Sequence, residues 1–267
     1  MLLAQLTDLH VTVPGGLLDT HYRTAEHLER AVAHLLALDP RPDAVAITGD
    51  LVEGGGPPEY ARLVELLAPL PVPVYVVPGN HDEREALRAA FAPRGYFPAE
   101  GFLCYAAEVG PVRLLALDTN VPRSPGGRLC AERLSWLEAR LAEQPHRPTI
   151  IILHHPPFAT GMRLMDGMGL EGREGLAAVV ARHGHVERVL CGHVHRSMTR
   201  RFAGTIASTC PSTAHQVQLD LRERGGLAVV AEPPACALHR WSEEEGLVSH
   251  LSFIGDYGPA DVVAAAS

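Results

Sequence analysis

Short apolar runs alternate with amphipathic stretches along the first two thirds of the chain. Leu2–Leu6, Ala44–Ile47 and residues 72–77 are apolar runs of strand length. Residues 24–38 place Ala25, Leu28, Val32, Leu35 and Leu36 at helical spacing, and Pro40 and Pro42 end the pattern. Residues 59–70 form a second helical run, with prolines just before it, where they are tolerated. Residues 83–91 form a third. Strand, helix, strand, helix, strand is the order of parallel βαβ units.

The alternation continues more loosely. Residues 102–109 and 112–117 predict a hairpin turning at Gly110-Pro111, and residues 133–141 a helix with Leu134, Leu137 and Leu141 on one face. A β-branched strand over 149–153, a short helix over 175–182 and a strand over 186–190 follow. Residues 158–172 are a Gly- and Met-rich loop without periodicity, of a length that is often functional. From Arg200 on, residues 202–208, 227–231, 235–241 and 247–253 read as strands joined by short turns, an antiparallel pattern. No Pro/Ser linker divides the chain. The expectation is one domain over 1–257, with about 200–257 completing a second sheet and supplying oligomer contacts, and a tail over 258–267.

Charge and composition narrow the function. The chain has 267 residues and a net charge of -8, without a run of like charges. A nucleic-acid or anionic-membrane binder would carry a basic face, so neither partner is expected. All 23 basic residues are Arg, which excludes a Walker A lysine and a Schiff-base lysine. Five Cys are scattered without a CxxC pair. Reduced thiols and a cytoplasmic location fit this better than a disulfide framework. The N-terminus lacks the basic region of a signal peptide, and no apolar run approaches the ~18 residues of a membrane span.

Candidate chemistry gathers where the apolar runs stop. The first ends in Thr7-Asp8-Leu9-His10, the second in Thr48-Gly49-Asp50, the third in Pro78-Gly79-Asn80-His81-Asp82. Turn chemistry could explain one of these; three in succession resist that reading. Two later runs end in His154-His155-Pro156-Pro157 and Cys191-Gly192-His193-Val194-His195. Of the 15 His, His21, His27, His34, His146, His183, His185, His239 and His250 read as ordinary surface or helix positions. The strand-end set is Asp8, His10, Asp50, Asn80, His154, His193 and His195. Seven side chains are too many for one tetrahedral ion. If Asp50 bridges, they divide into two four-ligand sets. Their nitrogen and oxygen donors suit two divalent or trivalent ions such as Fe, Mn, Zn or Co. Two ions about 3.5–4 Å apart are a standard device for in-line displacement at phosphorus. No HExxH, GxSxG or GxGxxG pattern offers another chemistry.

At these residues the chain resembles a known family. Asp8-x-His10, Gly49-Asp50, Gly79-Asn80-His81-Asp82, His154-x-Pro156 and Gly192-His193-x-His195 are similar to the five blocks of the calcineurin-like metallophosphoesterases, complete and in order. The spacing of the early blocks, the His-His-Pro-Pro block and the Ser-Thr-Cys-Pro-Ser-Thr-Ala-His-Gln-Val stretch at 208–217 resemble the bacterial class III cyclic-nucleotide phosphodiesterases. Among these, the glycerophosphodiesterase branch is the most similar. The resemblance implies an α/β fold, a four-layer αββα sandwich of two mixed sheets flanked by helices. It implies one metal on Asp8, His10, Asp50 and His195 and a second on Asp50, Asn80, His154 and His193. It makes His81 the group that faces the substrate near its leaving group, with Asn80 and His215 as further substrate contacts. The implied reaction is hydrolysis of small phosphodiesters, cyclic AMP or glycerophosphodiesters, by a metal-held hydroxide, in a homodimer or higher homo-oligomer.

Two alternatives stay open: a phosphomonoesterase or nucleotide pyrophosphohydrolase of the same superfamily, and a non-catalytic scaffold on the same fold. Scaffold members typically lose the metal His residues, and this chain keeps them. Glu53 stands where many members have Asp, and Gly54 where related enzymes can carry a Cys. Glu53 is either a solvated loop carboxylate or the acceptor of a hydrogen bond from His81.

Overall fold

The computed structural model describes residues 1–258. β1 (Leu2–Leu6) leads through a short α1 (Leu17–Thr20) into α2 (Thr24–Ala37), then β2 (Ala44–Ile47), α3 (Pro57–Leu67), β3 (Val74–Val76) and α4 (Arg84–Phe91). β4 (Tyr105–Val109) and β5 (Val112–Ala116) form the expected hairpin. A short β6 (Gly127–Arg128), α5 (Ala131–Glu143), β7 (Thr149–Ile152), α6 (Arg163–Asp166), β8 (Leu170–Glu171), α7 (Arg173–Val180) and β9 (Val186–Cys191) follow. The last part is strands: β10 (Met198–Phe202), β11 (Thr205–Thr209), β12 (Gln216–Val217), β13 (Val229–Val230), β14 (Ala235–Ser242) and β15 (Gly246–Phe253).

Side-chain alternation sorts these elements into four layers. β1, β2 and β3 pair in parallel, and Ala4, Leu6, Val45, Ile47, Val74 and Val76 face Leu28, Val32 and Leu35 of α2 and Tyr60 and Leu63 of α3. In the second sheet, Leu115, Ile151 and Val189 face Leu137 and Leu141 of α5 and Leu176 and Val180 of α7. The residues of opposite parity meet between the sheets: Leu3, Ala44 and Ala46 pack against Leu114, Ile150, Ile152 and Leu190. A strand buried on both faces reads as a continuous apolar run, which is why β1, β2 and β7 show no polar alternation. The result is an αββα sandwich, as expected.

The C-terminal third departs from the sequence reading. The expectation that about 200–257 completes the second sheet holds only for its first hairpin. β10 and β11 join β9, giving the order β10-β11-β9-β7-β5-β4. β14 and β15 instead close the first sheet, in the order β15-β14-β1-β2-β3, with β14 antiparallel to β1. The free side of β1 carries backbone donors and acceptors that need a ladder, and β14 supplies it. The single strand expected at 202–208 is the second half of a hairpin that turns at Ala203-Gly204. Only Val229–Val230 of the run at 227–231 is strand, paired with β12. The loop at 158–172 holds α6 and β8, and β8 pairs with β6. The tail, apart from Gly258, lies outside the described residues.

Ile150 lies fully buried between the sheets. Ile150→Ala should cost about 2–5 kcal/mol in equilibrium unfolding without changing the denaturant slope. A cost within ~0.5 kcal/mol would mean that the two sheets are not closely packed there.

Candidate metal centre

β1, β2, β3, β7 and β9 run parallel within their sheets, and each ends on the side where the loops carry polar residues. Asp8 and His10 follow β1, Asp50 follows β2, and Asn80, His81 and Asp82 follow β3. His154 follows β7, and His193 and His195 follow β9. These loops are strained. Among the described residues eight that are not Gly have positive φ, and five of these are Asp8, His10, Asp50, His193 and His195. Left-handed backbone at a residue with a Cβ persists only where its surroundings over-determine it. The glycines of the motifs supply room. A Cβ at Gly79 would lie 2.1 Å from Asp50 Oδ1, and one at Gly49 2.4 Å from His154 Nδ1.

The structure brings all seven strand-end residues together. His10 Nε2 lies 3.2 Å from His195 Nε2 and 3.7 Å from Asp50 Oδ2, and His195 Nε2 lies 3.6 Å from Asp8 Oδ1. On the other side, His154 Nε2 lies 3.4 Å from Asp50 Oδ2 and 3.1 Å from Asn80 Oδ1. His193 Nδ1 lies 3.0 Å from Asn80 Oδ1. The nearest neighbours thus fall into two groups that share Asp50 Oδ2. Backbone amides hold the acids: His81 N–H donates to Asp50 Oδ1 at 3.0 Å, and His193 N–H to the Asp8 carboxylate at 3.0 and 3.1 Å.

The outer nitrogen of each imidazole shows what the inner one is for. His10 Nδ1–H donates to Glu53 Oε2 at 2.8 Å, and His154 Nδ1–H to the Thr48 carbonyl at 2.8 Å. His193 Nε2–H donates to the Met168 carbonyl at 3.0 Å, and His195 Nδ1–H to the His215 carbonyl at 2.8 Å. A neutral ring that donates through one nitrogen carries a lone pair on the other. Four such lone pairs point inward, at each other or at the oxygens of Asp50, Asn80 and Asp8. Lone pairs 3.0–3.7 Å apart repel unless a cation lies among them. Outer acceptors of this kind are what fix metal-bound imidazoles. The residues therefore fit bound metal.

Charge points the same way. Burial opposes ionisation of Asp50, but the His154 ring outweighs it and holds the carboxyl well below the usual range. Burial would likewise lower the His154 pKa, yet Asp50 raises it to about 9. The carboxylates demand positive charge at that nitrogen. Burial, reinforced by the charge of Asp50, raises Asp8 to about 6. His155 is fully buried, with Nδ1 at 2.8 Å from Thr119 Oγ1 and Nε2 at 3.1 Å from the Pro125 carbonyl.

Glu53 is a partly exposed carboxylate that is paired rather than free. Its Oε2 accepts from His10 Nδ1 and lies 3.2 Å from His81 Nδ1, so one oxygen serves both rings. The sequence offers His81 as its partner but not His10, because the separation of 43 residues between Glu53 and His10 carries no local signal. The His81 ring stands edge-on to His10 at 4.8 Å between centroids. It lines a cleft of about 330 Å³ with Glu53, Asn80, Glu83, Arg84 and Asn120. His215 also neighbours His10, with ring centroids 5.3 Å apart, and Tyr22 packs on it at 4.8 Å. Tyr22 and Asn120 had no motif to mark them. Arg84 is tied to both oxygens of Asp118, at 2.7 and 3.1 Å.

Comparison with known proteins agrees with this geometry. Residues 1–197 match the model of the family described as calcineurin-like phosphoesterase. The chain is 38% identical over 261 residues to an Arcobacter nitrofigilis protein named "Probable glycerophosphodiester phosphodiesterase GpdQ", covering 97% of this chain and 96% of that one. It is 30% identical over 213 residues to the 3',5'-cyclic adenosine monophosphate phosphodiesterase CpdA of Escherichia coli K12, covering 79% and 76%. Among solved structures, a dimetal phosphatase from Danio rerio shares the fold with a TM-score of 0.64 at 14% identity, covering 96% of this chain and 99% of that one. Among the described residues no helix is long and apolar enough to cross a membrane. The chain belongs to the calcineurin-like phosphoesterase family.

Proposed function

We propose that this protein is a dinuclear metal-dependent phosphodiesterase acting on small diesters of the cyclic AMP and glycerophosphodiester kind. The observation that carries the reading is the convergence of four imidazole lone pairs on Asp50, Asn80 and Asp8, each ring fixed from outside. Asp8, His10, Asp50 and His195 would hold one ion, and Asp50, Asn80, His154 and His193 the other. Iron, manganese, zinc and cobalt all suit this donor set. Ions held there would supply Lewis-acid polarisation of phosphoryl oxygens and water of lowered pKa. The second set has a neutral amide where the first has the Asp8 carboxylate, so it binds its ion more weakly.

The chain's own residues do the rest. Asn80 and His81 border the cleft and place the substrate beside the centre. Nδ1 of His81 is committed to Glu53, which leaves Nε2 to protonate a departing alkoxide. A cleft of about 330 Å³ suits a small ester rather than a polymer. Arg84 is already paired with Asp118, so it does not offer an open fork to a dianionic monoester. That favours diesters over the phosphomonoesterase alternative.

Asp50→Ala should lose both ions and all turnover, whereas Asp8→Ala should weaken mainly the first site. Metal analysis of the purified variants reads the difference. An Asp50→Ala protein that keeps two tightly held ions would contradict the bridge.

Metal-reconstituted protein should show a higher kcat/KM for bis(p-nitrophenyl) phosphate than for p-nitrophenyl phosphate, and should hydrolyse cyclic AMP or glycerophosphoethanolamine. The reverse ranking would favour a phosphomonoesterase. His81→Ala should keep both ions and lose about 10²–10⁴-fold in kcat on poor leaving groups, and much less on p-nitrophenyl esters. An equal loss on both would remove His81 as the proton donor.

A further inference from the structure

Gln5 is the polar residue of an otherwise apolar β1, and it is only 1% exposed. It shares a strand face with Leu3, which packs in the layer between the sheets. Its Nε2 donates to Thr48 Oγ1 at 3.0 Å and to the Cys191 carbonyl at 2.9 Å. Its Oε1 accepts from His239 Nε2 at 3.1 Å. The Cys191 carbonyl can only accept, which fixes which way the Gln5 amide points and puts the His239 ring proton on Nε2, so that His239 Nδ1 accepts from the Ser249 hydroxyl at 2.7 Å. Burial keeps this ring neutral by holding its pKa down at about 3. The two donors and the acceptor oxygen of the carboxamide are all engaged.

Both acceptors of Gln5 lead to the metal centre. Thr48 presents the carbonyl that fixes His154. Cys191 ends β9, directly before Gly192-His193-Val194-His195. Gly192 lies so close to Thr48 that a Cβ there would sit 2.6 Å from the Thr48 carbonyl oxygen. One amide therefore joins the end of β2 in the first sheet to the end of β9 in the second. The apolar layer around it is non-directional and does not by itself fix how the sheets sit along one another. Hydrogen bonds with defined geometry do. The two ligand sets differ in their dependence on that register. The first takes three residues from loops of the first sheet and only His195 from the second. The other takes Asp50 and Asn80 from the first sheet and His154 and His193 from the second.

We propose that Gln5, held by His239, is a positioning residue that sets the register of the two sheets at the metal centre, and that it governs chiefly the second ion. The inference rests on the dinuclear reading above. Thus β14 and β15 serve the centre without contributing a ligand to it.

The test is calorimetric titration of metal-free protein with Co²⁺, alongside the visible spectrum of the bound ion. Gln5→Met conserves volume and removes the polar contacts. It should leave the tighter Kd within about threefold of wild type and raise the weaker one about 10–100-fold, the usual effect of losing an outer partner. His239→Phe leaves both Gln5 donors in place but frees the amide, so it should raise the weaker Kd by a smaller factor; it keeps the test decisive if Gln5→Met does not fold. A folded variant with a lowered Tm and both Kd values unchanged would make Gln5 merely structural and overturn the proposal. Wild-type protein that takes up no Co²⁺ would overturn the dinuclear reading itself.

Discussion

Repulsion between lone pairs is the constraint on which this structure turns. Four imidazoles, each donating outward to a carbonyl or a carboxylate, aim their second nitrogens at one another and at three oxygens. In a neutral ring each inward lone pair gives up water and finds no donor, and at His154, against the effect of burial, the neighbouring carboxylates raise the pKa to about 9, so the site calls for positive charge. It makes sense as a set of ligands arranged for cations, with the outer hydrogen bonds fixing tautomer and ring angle. Glu53, Thr48, Met168 and His215 are therefore as much part of the centre as the rings they hold.

The fold carries the cost of this arrangement. A non-Gly residue in left-handed backbone costs on the order of 1–3 kcal/mol. Five of them in one site approach the whole net stability of a domain, about 5–15 kcal/mol. The apolar layers outside and between the two sheets must outweigh that strain. Parallel strands make the site possible, since their ends lie together on one side and bring distant segments within bonding distance. The glycines at 49 and 79 let Asp50 and His154 approach neighbouring backbone closer than any Cβ would allow.

Much of this was legible in the sequence, and the failures share a cause. Each βα strand ends an apolar run with a polar residue, so Asp8, Asp50, Asn80, His154 and His193 could be found by reading where the runs stop. The parallel βαβ order followed from the alternation of apolar runs and helical stretches, whereas the four layers came only with the family resemblance. The partner of β14 could not be read, because the same alternating strand can extend either sheet and the choice depends on which edge lacks a ladder. Long-range pairs were equally silent. His239 reads as a surface position but is buried against Gln5, and Gln5 sits unmarked inside an apolar strand. Glu53 was weighed against a neighbour at 81, while its shorter bond goes back to His10. The pattern of a sequence shows what a strand end carries but not which distant side chain meets it.

We propose above all that Asp50 is shared by two ions, one on each side of it. Crystals grown with Mn²⁺ and measured for anomalous scattering test this most directly. The account predicts two peaks about 3.5–4 Å apart, with an Asp50 oxygen between them, one peak beside His10 and His195 and the other beside Asn80, His154 and His193. A single peak at full occupancy, or two peaks of which only one touches Asp50, would contradict it.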